Sequence, residues 1–205
     1  MRIFLVRHPA PDIAPGICYG RLDIPARPDT AESVASILAA LAGHRLGRVW
    51  TSPARRCRAV ADPAAAAAGI PARLDPRLLE LDFGEWEGLA WSQVPRAALD
   101  AWAADPLGFA PPGGETGAAL LARVAAVHRD LVESGEDRAV ISHGGPLKLL
   151  AALLRGEPPD LLAPAPPLGS VVLVTVPPQP PPRAARSDSA AHSASTAAAP
   201  STSPV

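Results

Sequence analysis

Residues 4–12 read FLVRHPAPD, an apolar run that stops on a charged pair and is followed at once by proline. The short run of bulky apolar residues is typical of a strand buried in a parallel sheet. Arg7 and His8 close it. Pro9 has no N–H for a strand ladder, and it favours extended backbone at the residue before it. The stretch therefore predicts a buried strand that ends on an arginine and a histidine.

A second strand ends in the same way, in the segment VISHGGP at 140–146. Short apolar strands alternate with helical segments along the chain, which favours an α/β fold with three layers, α/β/α, and a mostly parallel central sheet. Strands are predicted at 2–6, 48–51, 72–74, 139–142 and 171–176. Ligands of such sheets bind beyond the carboxyl ends of the strands, so we expect His8 and His143 to share a site.

A third strand ends at Thr51, and a helix follows in which Ser52 is the expected N-cap and Pro53 the first helical residue. Three arginines lie in the first turns of this helix: Arg55, Arg56 and Arg58. Successive helical residues are about 100° apart, so one arginine can face the strand ends while the others face water. Beside a histidine pair, that guanidinium is a planar fork of donors suited to phosphate.

The segment ELDFGEWEG at 80–88 holds four carboxylates around an aromatic pair. It is either an acidic surface loop with two aromatic anchors or a loop that places one carboxyl group among the cations as a proton donor. A helix is expected at 91–103, with Pro95 in its first turn. Trp91 and Trp102 are expected to pack this helical flap beside the mouth of the site.

The 205 residues are 48% apolar and carry a net charge of −1, so the composition does not indicate a nucleic-acid or membrane surface. No secretory signal or membrane-spanning segment is apparent, and Cys18 and Cys57 have no metal or redox spacing. These features predict a cytoplasmic protein, monomer or homodimer, with no metal or cofactor. One domain is predicted at 1–176, followed by a disordered tail at 177–205 that is rich in Pro, Ala and Ser.

Converging arginines and histidines without a Walker loop suggest phosphoryl chemistry on histidine. His8 would be the nucleophile and needs its attacking nitrogen unprotonated. Neighbouring cations lower the pKa of a histidine, which favours the unprotonated ring. We expect a backbone carbonyl to hold the other ring nitrogen.

Five segments resemble the motifs of the histidine phosphatase superfamily, the phosphoglycerate mutase-like proteins, in family order over residues 1 to about 155. They are LVRHP, TSPARRCRAVA, LLELDFGEWEG, PPGGET and VISHGGPLKLL. The resemblance implies a phosphoglycerate mutase-like fold, with 1–176 as the histidine phosphatase domain. The segment CYGRLDIP is similar to the α-ribazole phosphatase-like branch of the family.

The resemblance also implies a role for each matching residue. His8 matches the phosphorylated nucleophile and Glu80 the proton donor. The implied phosphate-binding groups are Arg7, Arg56, His143 and the backbone N–H of Gly144. Candidates for contacts with the rest of the substrate are Tyr19, Arg21 and the region around Glu115.

Two positions depart from the family pattern. Pro9 replaces a glycine, and Ala14 stands where many members, the mutases especially, carry an asparagine that contacts phosphate. We expect Pro9 to be tolerated because its missing N–H was not an essential phosphate contact. The short chain and Ala14 count against a mutase.

The function expected from the residues and the resemblance is a phosphomonoesterase that acts on a small phosphate ester. α-Ribazole 5′-phosphate, a cobalamin precursor, is the leading specific substrate, and a broader range of small esters is the other possibility. The alternatives are phosphoryl transfer of the phosphoglycerate mutase type and an inactive family fold that serves as a binding or regulatory module.

Overall fold

A computed structural model describes residues 1–177 of the chain. At its centre lies a sheet of five strands. The strands are β1 (Arg2–Arg7), β2 (Arg48–Thr51), β3 (Ala72–Leu74), β4 (Arg138–Ser142) and β5 (Val171–Thr175). The helices are α1 (Ala31–Leu41), α2 (Arg55–Ala68), α3 (Arg96–Ala104), α4 (Gly117–Ser134) and α5 (Gly144–Arg155). The tail predicted at 177–205 lies outside the described residues, apart from Pro177.

The strand order is β3-β2-β4-β1-β5, and the sheet is parallel except for β5, which runs antiparallel to β1 at one edge. The mostly parallel sheet is therefore confirmed. In the register of β1 with β4, Arg7 lies opposite Ser142. The two strands end level with each other, which brings the residues that follow them to one edge of the sheet.

The helices form a layer on each face of the sheet. Along β1, Ile3 and Leu5 pack with α4 and α5, whereas Phe4 and Val6 pack with α1 and α2. This alternation follows from the two-residue period of a strand, and it explains why the whole run is apolar. Each such side chain contributes about 1.5–3 kcal/mol when it is fully buried. The predicted three-layer architecture is confirmed.

The start of α2 corrects one prediction. The helix begins at Arg55, its N-cap position is Ala54, and Pro53 lies before it. Ser52 does not cap the first turn in the expected way. Its hydroxyl accepts the N–H of Ala54 at 3.3 Å and also pairs with His143, so the chain turns once more before the helix starts.

The helix predicted at 91–103 is also corrected, because the structure divides it. A 3₁₀ turn at Trp91–Gln93 precedes α3, which begins at Arg96. Proline disfavours helical backbone at the residue before it, so Val94 is extended and Pro95 stands in front of the helix. The sequence pattern predicts Pro95 within the first turn of the helix, whereas Pro95 precedes the first helical residue.

Candidate active site

The ends of β1 and β4 bring two buried histidines together. His8 and His143 are 1% and 0% exposed, and their ring centroids are 5.1 Å apart. The backbone N–H of His8 donates to Ser142 at 3.1 Å, which joins the two strand ends directly. The structure thus brings together the two histidines that follow similar strand ends.

The ring of His8 is fixed by the residue that follows it. Its Nδ1 lies 2.7 Å from the carbonyl oxygen of Pro9, so Nδ1 carries the proton and donates, and Nε2 keeps its lone pair. Burial lowers the pKa of His8 from 6.5 to about 3; the Pro9 carbonyl opposes this shift, and the charges of Arg56 and Arg7 add to it. His8 is thus a neutral imidazole at physiological pH, and the predicted carbonyl partner is present.

His143 is held from the other side by Ser52, which follows β2, and by Cys57 in the first turn of α2. Its Nε2 lies 2.8 Å from the hydroxyl oxygen of Ser52 and 3.6 Å from the sulfur of Cys57. Burial, together with the nearby charge of Arg56, lowers the pKa of His143 well below 6.5, so this ring is also neutral. Burial also raises the pKa of the Cys57 thiol, to about 12.

Of the three arginines at the start of α2, only Arg56 points inward, and Arg55 and Arg58 are exposed. The guanidinium of Arg56 is fully buried and donates to the carbonyl oxygens of Leu22 and Gly20, both at 2.7 Å. It also lies 5.2 Å from the centre of the Tyr19 ring. These contacts fix the guanidinium against the loop that follows β1.

Arg7 is held by the segment that leads from α5 to β5, where its Nη1 donates to the carbonyl of Pro166 at 2.6 Å. Within the described residues, the buried Nε–H groups of Arg7 and Arg56 have no acceptor. Two guanidinium groups so close to His8 favour an anionic ligand. Both lie close enough to His8 to lower its pKa.

Glu80 lies between the acidic loop and the first turn of α5. Its carboxylate accepts the N–H of Leu81 at 2.9 Å and, with both oxygens, the N–H of Gly145 at 3.2 Å. The N-terminus of a helix favours a negative charge. The sequence suggested Gly144 as the amide that faces phosphate, and the structure shows the next amide bound to the candidate acid.

The three candidates for substrate contacts occupy different settings. Tyr19 is half-buried, with its ring centre 6.4 Å from that of His8. Arg21 is partly exposed and pairs with Asp82 at 3.2 Å and with Glu115 at 3.1 Å. Glu115 is only 11% exposed and also pairs with Arg123 at 2.8 Å. Tyr19 is thus the candidate whose ring is shown close to the histidines, whereas Glu115 is occupied by other side chains.

Glu87, in the acidic loop at 80–88, supports the loop that follows β1. Glu87 accepts the backbone N–H groups of Arg21, Leu22 and Phe83, at 2.8 Å, 2.9 Å and 3.0 Å.

Trp91 and Trp102 both stack edge-on against Phe83, and their ring centres lie 5.3 Å and 6.1 Å, respectively, from that of Phe83. The aromatic packing expected of the flap therefore exists, and it is anchored to the acidic loop.

Ser52 and Cys57 were not predicted as site residues. Ser52 follows a strand directly, as His8 and His143 do, and this position is the signal that could have identified it. Cys57 follows Arg56 on a helix that also packs against the sheet, so its contact with His143 depends on how the helix is rotated. Nothing in the sequence alone fixes that rotation.

Among residues 1–177, no group of three or more His, Cys, Asp or Glu side chains is arranged to hold a metal ion. In the same part of the chain, no helix has the length and apolar character needed to cross a membrane.

Comparison with known proteins gives the family. The model of the histidine phosphatase superfamily (branch 1) matches residues 3–180, which is most of the chain. The chain belongs to the histidine phosphatase superfamily. The resemblance seen in the sequence motifs is therefore confirmed, and so is the phosphoglycerate mutase-like fold.

Relatives of this superfamily member include named phosphatases. The chain is 29% identical over 171 residues to the glucosyl-3-phosphoglycerate phosphatase of Mycolicibacterium vanbaalenii, covering 78% of this chain and 76% of that protein. A mycobacterial glucosyl-3-phosphoglycerate phosphatase solved with VO3 is 25% identical with a TM-score of 0.74, covering 85% and 92% of the two chains. The α-ribazole phosphatase from Shigella flexneri is 24% identical with a TM-score of 0.78, covering 86% and 91%, and shows the shared fold.

Proposed function

We propose that this histidine phosphatase superfamily member is a phosphomonoesterase that works through a phosphohistidine on His8, without a metal ion. One observation carries the proposal. A buried, neutral imidazole has its Nδ1 tied to a backbone carbonyl and its Nε2 lone pair kept, beside two guanidinium groups with unpartnered N–H groups. This combination supplies a nucleophile and donors for the charge on a phosphoryl group.

In the first step, Nε2 of His8 attacks phosphorus and the bond from phosphorus to the ester oxygen breaks. Arg7, Arg56 and His143 donate to the phosphoryl oxygens, with help from the N–H of Gly144 at the start of α5. Glu80 gives a proton to the departing alkoxide, which leaves as an alcohol. The negative charge that develops on the leaving oxygen is thus neutralised as it forms.

In the second step, a water molecule attacks the phosphorus of phospho-His8. Glu80, now a carboxylate, takes a proton from that water, and the bond from phosphorus to Nε2 breaks. Inorganic phosphate leaves, His8 is again neutral, and Glu80 has regained its proton.

The substrate that we propose is a small phosphate ester, with Tyr19 and Arg21 contacting its alcohol portion. Two candidates have separate support. The segment CYGRLDIP and the fold shared with an α-ribazole phosphatase favour α-ribazole 5′-phosphate. The relative from Mycolicibacterium favours glucosyl-3-phosphoglycerate.

A panel of phosphate esters that includes both candidates tests this function, with release of inorganic phosphate as the measurement. We expect the wild type to hydrolyse at least one ester in the presence of a metal chelator and His8→Ala to lose activity by at least about a hundredfold. Undiminished turnover by His8→Ala would contradict the mechanism. Transfer of phosphate to a second ester with little hydrolysis would indicate a mutase, and binding without any turnover would indicate a binding module.

A further inference from the structure

Arg123, in the middle of α4, makes five hydrogen bonds around the backbone that carries Glu80. Two of them go to the carboxylate of Glu115, at 2.8 Å and 2.9 Å. The other three go to the carbonyl oxygens of Arg77, Leu79 and Glu80, at 2.7 Å, 2.5 Å and 2.9 Å. One guanidinium thus binds three carbonyls of a segment that is neither helix nor strand beyond Leu78.

Such a segment needs donors, because its carbonyls have no partners in a helix or a ladder. The five N–H groups of a guanidinium lie in one plane. This geometry allows Arg123 to donate to the carbonyls of the segment and to the carboxylate of Glu115 at the same time. Its side chain is 14% exposed and that of Glu115 is 11% exposed, so the pair is shielded from water. Burial alone would raise the pKa of Glu115, but Arg123 and then Arg21 hold it below its ordinary value.

Glu80 is consequently fixed at two points. Its own carbonyl is bound by Arg123, and its carboxylate is bound by the amides of Leu81 and Gly145. The first contact sets the position of the backbone, and the second sets the direction of the carboxyl group. Without the contact from Arg123, only a longer hydrogen bond from Nε of Arg21, at 3.4 Å, would hold this carbonyl.

We propose that Arg123, together with Glu115, is a positioning residue for proton donation by Glu80; this inference rests on the proposed function. It also gives Glu115 a role other than the substrate contact suggested by the sequence, because its carboxylate already accepts from Arg123, from Arg21 and from the N–H of Asp82. Misplacement of a reacting group by about 1 Å can cost about a hundredfold in rate.

The dependence on the leaving group tests this role. An alkyl phosphate needs a proton on its leaving oxygen, whereas p-nitrophenyl phosphate releases a stable anion. For Arg123→Gln we expect kcat/KM, which reports the formation of phospho-His8, to fall at least about tenfold more for the alkyl ester than for p-nitrophenyl phosphate, in the same direction as Glu80→Gln. A purely structural loss of folded protein would lower both activities equally.

Arg77→Gln is the matched control. Arg77 lies at the start of the same segment, and its side chain pairs with Asp75 and Asp130, at 2.7 Å and 2.8 Å. Its removal takes away a comparable ion pair without touching the carbonyl of Glu80, so both substrates should be affected alike. If Arg123→Gln does not fold, Arg123→Lys keeps the charge beside Glu115 with fewer donors, and we expect from it a smaller but still selective loss.

The two proposals fail in different ways. Equal losses on both substrates for the folded Arg123 variants, with a selective loss for Glu80→Gln, would overturn the positioning role and leave the phosphatase mechanism standing. Equal losses for Glu80→Gln itself would overturn the assignment of the acid and, with it, the role of Arg123.

Discussion

At the scale of single residues, Pro9 shows how a departure from the family pattern fits the site. The residue is buried, and its carbonyl oxygen holds Nδ1 of His8. Any residue offers a carbonyl at this position, so the contact does not depend on proline. Proline restricts the backbone of His8 and its own φ, which keeps that carbonyl in place.

Pro9→Gly should therefore change turnover by less than about tenfold, which is under about 1.4 kcal/mol of barrier. The acceptor for Nδ1 remains and an N–H is gained, while the backbone becomes freer. Steady-state kinetics on the best ester of the panel measure the change. A larger loss would show that the rigidity of Pro9 sets the orientation of His8.

The sequence could predict the residues whose position depends on a strand end, because such an end defines an edge of the sheet. His8 and His143 are of this kind, and so is the prediction that one arginine after Thr51 turns inward. Cys57 and Arg123 could not be assigned in this way. Their contacts cross between elements far apart in sequence, and they depend on how each helix is rotated against the sheet.

At the scale of elements, the first turn of α5 separates two parts of the site. A Cβ on Gly145 would collide with Oε1 of Glu80. A Cβ on Gly144 would lie 3.2 Å from the guanidinium of Arg7 and 3.0 Å from the Cβ of Ala165. The two neighbouring glycines thus adjoin the candidate acid and a candidate phosphate-binding residue, respectively.

Gly145→Ala should displace Glu80 and reduce kcat/KM, which reports the first step, at least about tenfold more for an alkyl phosphate than for p-nitrophenyl phosphate. Gly144→Ala is the control, since it disturbs Arg7 and should lower the activity on both esters to a similar degree. Parallel assays of the two variants check this. A loss for Gly145→Ala that is the same for both esters would contradict the placement of the acid.

The elements themselves were predictable where periodicity is strong and uncertain where proline intervenes. The strands of the sheet follow from apolar runs bounded by turns. The antiparallel direction of β5 does not, because the same apolar run fits either direction. The helix after Trp91 was misplaced because a proline can stand within a first turn or before it, and only the extended backbone at Val94 decides between them.

At the scale of the whole molecule, folding buries two histidines in their neutral form. An unfolded chain has a histidine pKa near 6.5, whereas that of folded His8 is about 3 and that of His143 is also far lowered. Between these values the unfolded state binds protons that the folded state does not. Stability is therefore greatest above the unfolded pKa and declines as the pH falls toward the folded pKa.

The free energy of unfolding should accordingly fall between pH 6.5 and pH 5, with a slope that approaches about 1.4 kcal/mol per pH unit for each histidine. Urea unfolding at a series of pH values measures the slope. His8→Gln removes one of the two groups and should make the slope shallower. A free energy of unfolding that stays constant over this range would contradict the burial of two neutral histidines.

The central claim is that His8 becomes phosphorylated during turnover, and a quenched reaction with a ³²P-labelled ester tests it most directly. We expect label on the protein that survives alkali and is lost in acid, as a phosphorus–nitrogen bond requires, and that maps to the peptide containing His8. His8→Ala should carry none. Rapid hydrolysis with no labelled protein at any quench time, or label on another residue, would contradict the claim.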